Sequence, residues 1–357
     1  MSGDGVRWLR GVLAGAMALW VVAGAPTAAV ADGQGGTEVG SVGRGAMKYP
    51  YRVYVPPSYD GSSRVPLVVM THGCQTTAEQ QQGANLYDDV ADREGFIVLY
   101  PDVNPIEANS PGPLKNCWQF PLPTSWLRGA SDPKAIAAMT RSVMTHWKVD
   151  RSRVYMVGMS AGSFMTSIMA AAFSDIYAAV ALNAGGGYAD GICLGVPIGI
   201  PVEASALLAR RVMGPRARIV PRLAMGGDAD QGVPPGCVDK ALEQGLRTNN
   251  LVMGRSQTAP ISLQPASTRE VPATEPGHYS TTVKTYLDPA GCVIGERWLI
   301  HGMNHFWPGG SSDPKYKSFT DPKGPNGAEI TWDFLKRYRK AETSPPCSEA
   351  QEGEASN

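Results

Sequence analysis

One short stretch constrains this chain more than any other: Val154-Tyr-Met-Val runs straight into Gly158-Met-Ser160-Ala-Gly162. Val154–Met159 is β-branched, aromatic and apolar, and reads as a buried strand. The small residues of Ala161–Ala172 read as a helix. No loop separates the two, so the backbone must pass from extended to helical at a single residue. A residue at such a turn is held in strained dihedrals above the end of the strand, and flanking glycines let the helix pass close to the sheet. Ser160 occupies the turn and is the candidate nucleophile. The plainer reading is a serine that caps the helix N-terminus.

The rest of the chain repeats this alternation. Arg52–Val55, Leu67–Met70, Phe96–Tyr100, Val180–Leu182, Leu223–Met225, Val283–Tyr286 and Arg297–Ile300 read as short strands. Residues 78–93 and Cys237–Asn249 read as helices. Another opens at Asp132-Pro133, an N-cap followed by a first-turn proline, with Ile136, Met139, Val143, Met144 and Trp147 on one face. Asn326-x-x-Glu329 resembles a capping box opening a final helix to about Arg339. Short buried strands between helices predict an α/β fold, a mostly parallel central sheet with helices on both faces. The proline-rich stretch 101–131 reads as a long surface loop, and 187–221 and 250–282 as insertions above the sheet. Residues 32–46 read as a flexible glycine-rich arm, 47–340 as one domain and 341–357 as a polar acidic tail.

The 357 residues balance 32 Lys and Arg against 32 Asp and Glu. A neutral chain lacks the basic footprint of a nucleic-acid binder and offers no polybasic segment to a membrane. Residues 1–31 read as a secretory signal peptide: Arg7 and Arg10, an apolar run from Val12 to Ala23, then Ala29-Val30-Ala31 ahead of Asp32. The protein is therefore expected outside the cell, unattached to membrane after cleavage. In that oxidising setting the six cysteines are expected to form three disulfides. Nearness in chain order suggests Cys74–Cys117, Cys193–Cys237 and Cys292–Cys347. No C-x-x-C or zinc-like Cys/His spacing occurs, so neither metal nor cofactor is expected.

A serine nucleophile needs a base, and the base an acid that orients it. On a strand–helix turn of this kind the acid and then the histidine follow the serine along the chain. His72 and His146 precede Ser160, and His278 falls in an irregular stretch. His305, in the loop after the Arg297–Ile300 strand, is the first candidate and His301 the second. Leu223-Ala-Met-Gly-Gly-Asp228-Ala-Asp230 puts two carboxylates just past a strand. Asp230 is favoured as the acid, with Asp228 making a turn or a supporting bond. An oxyanion hole needs two amides. Ala161 offers one, and Thr71-His72-Gly73-Cys74-Gln75 the other, with Cys74 ahead of Gln75. His72 reads as a structural brace of that loop. Trp118, Phe120, Trp126, Phe306, Trp307 and Gln75 are candidates to line a substrate cleft.

Taken in order, seven segments resemble the signposts of the secreted poly(3-hydroxybutyrate) depolymerase-type esterases of the α/β-hydrolase superfamily. They are His72-Gly73-Cys74, Tyr100-Pro101, Asn116-Cys117-Trp118, Val149-Asp150-x-x-Arg153-Val154-Tyr155, Gly158-Met-Ser160-Ala161-Gly162, Asp228-Ala-Asp230-x-x-Val233-Pro234 and Gly302-Met-Asn-His305-x-Trp307-Pro308-Gly309-Gly310. The resemblance runs from about Tyr51 to Tyr338. It implies the α/β-hydrolase fold and an extracellular serine esterase, with Ser160, Asp230 and His305 as triad and a Cys74–Cys117 bridge beside the site. The implied substrate is an ester: a polyhydroxyalkanoate-type polyester or its oligomers. Related esterases cut acetyl or feruloyl esters from plant polysaccharide. The chain departs from the pattern at Met225-Gly226-Gly227, where a His-Gly pair often precedes the acid, and at Phe306, where a small residue is usual. A serine peptidase with the same triad and a non-catalytic binding protein are the readings from other classes.

Overall fold

The computed structural model describes residues 35–190, 193, 200–254 and 260–340. The expected signal peptide, the tail from 341 and Cys347 lie outside these residues. Ten strands form one sheet: β1 (Gly36–Val42), β2 (Tyr49–Val55), β3 (Val65–Thr71), β4 (Ile97–Pro101), β5 (Val149–Met159), β6 (Val180–Asn183), β7 (Arg222–Gly227), β8 (Ser267–Val271), β9 (Thr281–Leu287) and β10 (Val293–Ile300). Their spatial order is β1-β2-β4-β3-β5-β6-β7-β10-β9-β8. From β4 across to β10 neighbouring strands are parallel. Antiparallel strands extend both edges, β2 and β1 on one side and β9 and β8 on the other.

The helices are α1 (Ala78–Asn85), α2 (Tyr87–Glu94), the short α3 (Pro105–Ala108), α4 (Ser131–His146), α5 (Ala161–Ala172), α6 (Val202–Met213), α7 (Pro235–Met253) and α8 (Gly327–Leu335). The central strands are apolar throughout because both faces of the sheet are covered. In β3, Leu67 and Val69 pack into one core with Ile136, Met139 and Val143 of α4 and Phe164 and Ile168 of α5. Their neighbours Val68 and Met70 pack into the other, with Val90 of α2 and Trp332 and Phe334 of α8. Successive side chains of a strand face opposite sides, so each finds an apolar layer. This is the α/β-hydrolase architecture that the sequence predicts.

Several local expectations are corrected. The glycine-rich arm is not flexible over its whole length, because β1 pairs with β2 from Gly36 to Val42. Gly40 permits this: the Tyr51 ring lies where a Cβ would stand, with the nearest ring carbon 2.4 Å away. The predicted helix over 78–93 is two helices, broken at Leu86, whose φ of 62° is left-handed. Asn85 accepts the Tyr87 amide at 2.8 Å across the break. Helix α4 begins at Ser131, so Asp132 is not its cap. The Asp132 carboxylate turns inward and accepts the Tyr49 hydroxyl at 2.7 Å and the Gln119 amide at 2.8 Å. The stretch 250–282 is not wholly an insertion above the sheet, since Ser267–Val271 joins its edge as β8. The stretch 187–221 contains α6, which packs on α5 and α7.

Candidate active site

Ser160 stands between β5 and α5 with φ 54° and ψ −120°. Such backbone costs on the order of 1–3 kcal/mol and persists only where its surroundings impose it. The glycines explain how they do. A Cβ on Gly158 would lie 2.2 Å from the Gly162 carbonyl oxygen, and one on Gly162 would lie 2.3 Å from that of Thr71. The Ser160 amide is pinned to the Asn183 carbonyl at the end of β6, 2.9 Å away. Its side chain makes no capping bond to α5. The hydroxyl points instead to the His305 Nε2, at 2.9 Å.

The Nδ1 of His305 lies 2.8 Å from the Asp230 Oδ2 and 3.1 Å from its Oδ1. A carboxylate only accepts, so Nδ1 carries the hydrogen and Nε2 is left as the acceptor for the Ser160 hydroxyl. The Asp230 side chain is 1% exposed. Its buried charge is satisfied from a second side, for Oδ1 also accepts the amides of Gly232 and Val233, each at 2.8 Å. The structure thus brings Ser160, His305 and Asp230 into one hydrogen-bonded line.

The alternative candidates pair elsewhere. His301 Nδ1 meets Asp228 Oδ2 at 2.8 Å, and the Gly302 amide donates to Asp228 Oδ1 at 2.7 Å. Neither residue is bonded to Ser160. His72 is fully buried, with Nδ1 2.7 Å from the Gly73 carbonyl and Nε2 3.1 Å from Asp102 Oδ1. Desolvation pushes the Asp102 carboxyl up, but His72 and the amides of Ala78 and Val103 outweigh it and hold the group below the usual carboxylate range. His72 braces the loop after β3, as the sequence suggests.

That loop carries the expected oxyanion donors. Gly73 faces the nucleophile so closely that a Cβ there would lie 3.1 Å from the Ser160 Cβ. The Gln75 amide is excluded, because it donates to the Lys115 carbonyl at 2.7 Å. Cys74 and Ala161 remain the candidates. A disulfide joins Cys74 to Cys117, tying this loop to the 101–131 segment, and a second joins Cys193 to Cys237. The pairing of Cys292 with Cys347 involves a residue outside the described set.

A cleft of about 450 Å³ opens over Ser160 and His305, with Gln75, Gln80, Met159, Lys315 and Phe319 in its walls. Gln75 is thus where a substrate contact needs it. The tryptophans are not. Trp118 is 1% exposed, donates its indole N–H to the His72 carbonyl at 3.1 Å and packs on the His72 ring. Trp307 is fully buried against Tyr87. Phe120 is buried against Phe164, and the half-buried Trp126 bonds to the Phe120 carbonyl at 2.9 Å. Phe306 is half-buried, and its carbonyl accepts the Asn183 side-chain amide at 3.1 Å. Trp118, Phe120 and Trp307 build the core beneath the site. Among the described residues no group of His, Cys, Asp and Glu could hold a metal ion.

Three further residues, Asn304, Asn183 and Gly232, hold the site together. The Asn304 Oδ1 accepts the His305 amide at 2.8 Å and the Gln231 amide at 3.1 Å, so one side chain clamps the base loop to the acid loop. Asn183 bonds to both Ser160 and Phe306. Gly232 lies flat under the imidazole, where a Cβ would come within 2.9 Å of His305 Cγ. Asn304 lies inside the motif around His305, but nothing local shows that its oxygen reaches a loop 73 positions away.

Residues 49–200 match the family described as "Esterase PHB depolymerase". Over 151 residues the chain is 34% identical to an acetylxylan esterase of Coprinopsis cinerea, covering 42% of this chain and 38% of that protein. Over 152 residues it is 31% identical to poly(3-hydroxyalkanoate) depolymerase C of Paucimonas lemoignei, covering 43% and 35%. A feruloyl esterase B of Neurospora crassa is 33% identical over 37% of this chain and 42% of its own length. The chain therefore matches less than half the length of these relatives. The solved acetyl xylan esterase from Aspergillus awamori superposes with a TM-score of 0.57 over 75% of this chain and 93% of its own, at 21% identity, a likeness of fold.

Proposed function

Since residues 49–200 match the esterase PHB depolymerase family, we propose that this chain is an extracellular serine esterase of that kind, with Ser160, His305 and Asp230 as its catalytic residues. The observation that carries this reading is the continuous hydrogen-bonded line from Asp230 through His305 to a Ser160 held in strained backbone. His305 takes the hydroxyl proton as Ser160 Oγ attacks the ester carbonyl. The Ala161 and Cys74 amides receive the oxyanion. Asp230 holds the imidazole in the working tautomer and stabilises the imidazolium. His305 then protonates the departing alcohol, and water repeats the sequence on the acyl-enzyme to release the acid. The two described disulfides support an oxidising compartment. Among the described residues no helix is long and apolar enough to cross a membrane.

The substrate class proposed is the polyhydroxyalkanoate type, as polyester or oligomers. The acetylxylan and feruloyl esterase relatives support esters of plant polysaccharide as the second class. Ser160→Ala should leave the fold intact and lower turnover of a short p-nitrophenyl ester on the order of 10⁵-fold. Labelling of the wild-type protein, but not the variant, by a fluorophosphonate is the companion measurement. Turnover retained in Ser160→Ala would end this assignment. A panel of hydroxybutyrate oligomers, amorphous polyester, acetylated xylan and feruloyl esters separates the two substrate classes.

A further inference from the structure

We propose that the cleft selects esters bearing a carboxylate, and that Lys315 is the residue that selects them. The proposal deepens the serine-esterase reading and rests on it. One wall of the cleft is the loop 311–319, which bears Lys315, Ser318 and Phe319. Its base is closed by a two-stranded ladder of β11 (Trp307–Pro308) and β12 (Thr320–Asp321). The Ser311 amide donates to the Ala84 carbonyl at 2.8 Å, and the Thr320 hydroxyl to the Ser311 carbonyl at 3.0 Å. At its tip Tyr316 docks on α1. Gly83 makes the room, because a Cβ there would stand 1.9 Å from the Tyr316 hydroxyl oxygen. Glycine is a poor choice for a helix interior, and here it lets the loop seat against the helix. The wall is therefore held in place.

The charges that face the cleft are one-sided. Among the described residues lining the cleft, Lys315 and His305 are the only ionisable groups, and none is a carboxylate. Asp313 is not one of the lining residues. It accepts the Lys315 amide at 3.0 Å and lies 3.0 Å from its ammonium, which fixes the direction of the side chain. Lys315 keeps 63% of its side chain exposed, and the ammonium has donors left for an incoming anion. A neutral polyester interior offers such a cation only ester carbonyl oxygens, which are weaker partners than an ionised carboxylate. A short hydroxyacid oligomer does, because its free end is a carboxylate a few bonds from the last ester.

The test uses one scissile ester with and without the charge: the linear 3-hydroxybutyrate dimer as free acid and as its terminal carboxamide. For the wild-type protein kcat/KM should favour the acid by about three- to fivefold at low ionic strength, the range of an exposed ion pair. The preference should shrink as salt is raised. In Lys315→Met the ratio of acid to carboxamide should fall to about one, and in Lys315→Arg it should persist. Melting curves of both variants check that they are folded. Equal turnover of acid and carboxamide by the wild-type protein, or a preference that survives Lys315→Met, would overturn the proposal. Failure of the esterase reading looks different: the wild-type protein turns over no p-nitrophenyl ester, or Ser160→Ala cleaves both dimers.

Discussion

Two Asp–His pairs stand side by side on the same two loops, and in both the imidazole Nδ1 lies 2.8 Å from a carboxylate Oδ2. Asp230–His305 and Asp228–His301 differ in what surrounds them. The Asp230 side chain is 1% exposed and accepts two further amides, whereas Asp228 is 39% exposed and accepts one. The far nitrogen of His305 reaches Ser160, whereas that of His301 meets the Thr282 hydroxyl at 2.7 Å, with Glu270 3.8 Å away. Desolvation raises the Asp228 carboxyl, but the Gly302 amide and His301 more than offset it and leave the group below its usual range. Residue types and hydrogen-bond length are thus shared by a structural pair and the pair proposed as catalytic. Burial of the acid, which strengthens its field on the imidazole, and the partner at the far nitrogen make the difference.

That contrast can be broken by substitution. Asp230→Asn keeps the shape of the acid but removes its charge and inverts the tautomer it favours. It should lower kcat for a p-nitrophenyl ester by about 10⁴-fold. Asn304→Ala, which unclamps the base loop from the acid loop, should lower kcat by roughly 10- to 100-fold with little change in KM, the scale of a small misplacement. Asn304→Asp retains an oxygen that can accept both amides and should recover most of that rate. Its added charge beside His305 should move the acid limb of the kcat/KM profile to higher pH. Asp228→Asn should stay within about threefold of wild type. If it falls as far as Asp230→Asn, the distinction between the two pairs is wrong.

The smallest effect lies away from both pairs. Burial, and then the charge of Asp132, push the Glu107 carboxyl from its ordinary 4.5 up to about 8. A raised carboxyl contributes stability that is complete below its unfolded value and lost as pH rises through its folded one. The thermal midpoint should therefore decline from about pH 5 to about pH 8, and Glu107→Gln should flatten that decline without altering esterase kinetics at neutral pH.

Much of the site is legible in the sequence. The turn at Ser160 could be read because a strand, two glycines and a helix are contiguous, and their clash geometry is local. The order of acid and histidine along the chain pointed to Asp230 and His305, and chain proximity paired Cys74 with Cys117 and Cys193 with Cys237. The aromatics were misread for the opposite reason. Trp118 and Trp307 lie in motifs that bear site residues, yet each indole is buried by residues distant in sequence, His72 in one case and Tyr87 in the other. The glycine-rich arm looked flexible because its partner strand β2 and the Tyr51 ring are supplied from elsewhere. By itself the sequence determined the central strands, the turn and the residue types of the site, since these depend on neighbours a few positions apart. Only the tertiary structure decided which aspartate is buried, which histidine meets the serine, which aromatics line the cleft and where Lys315 stands. Burial and third partners are properties of distant segments brought together, and no local pattern records them.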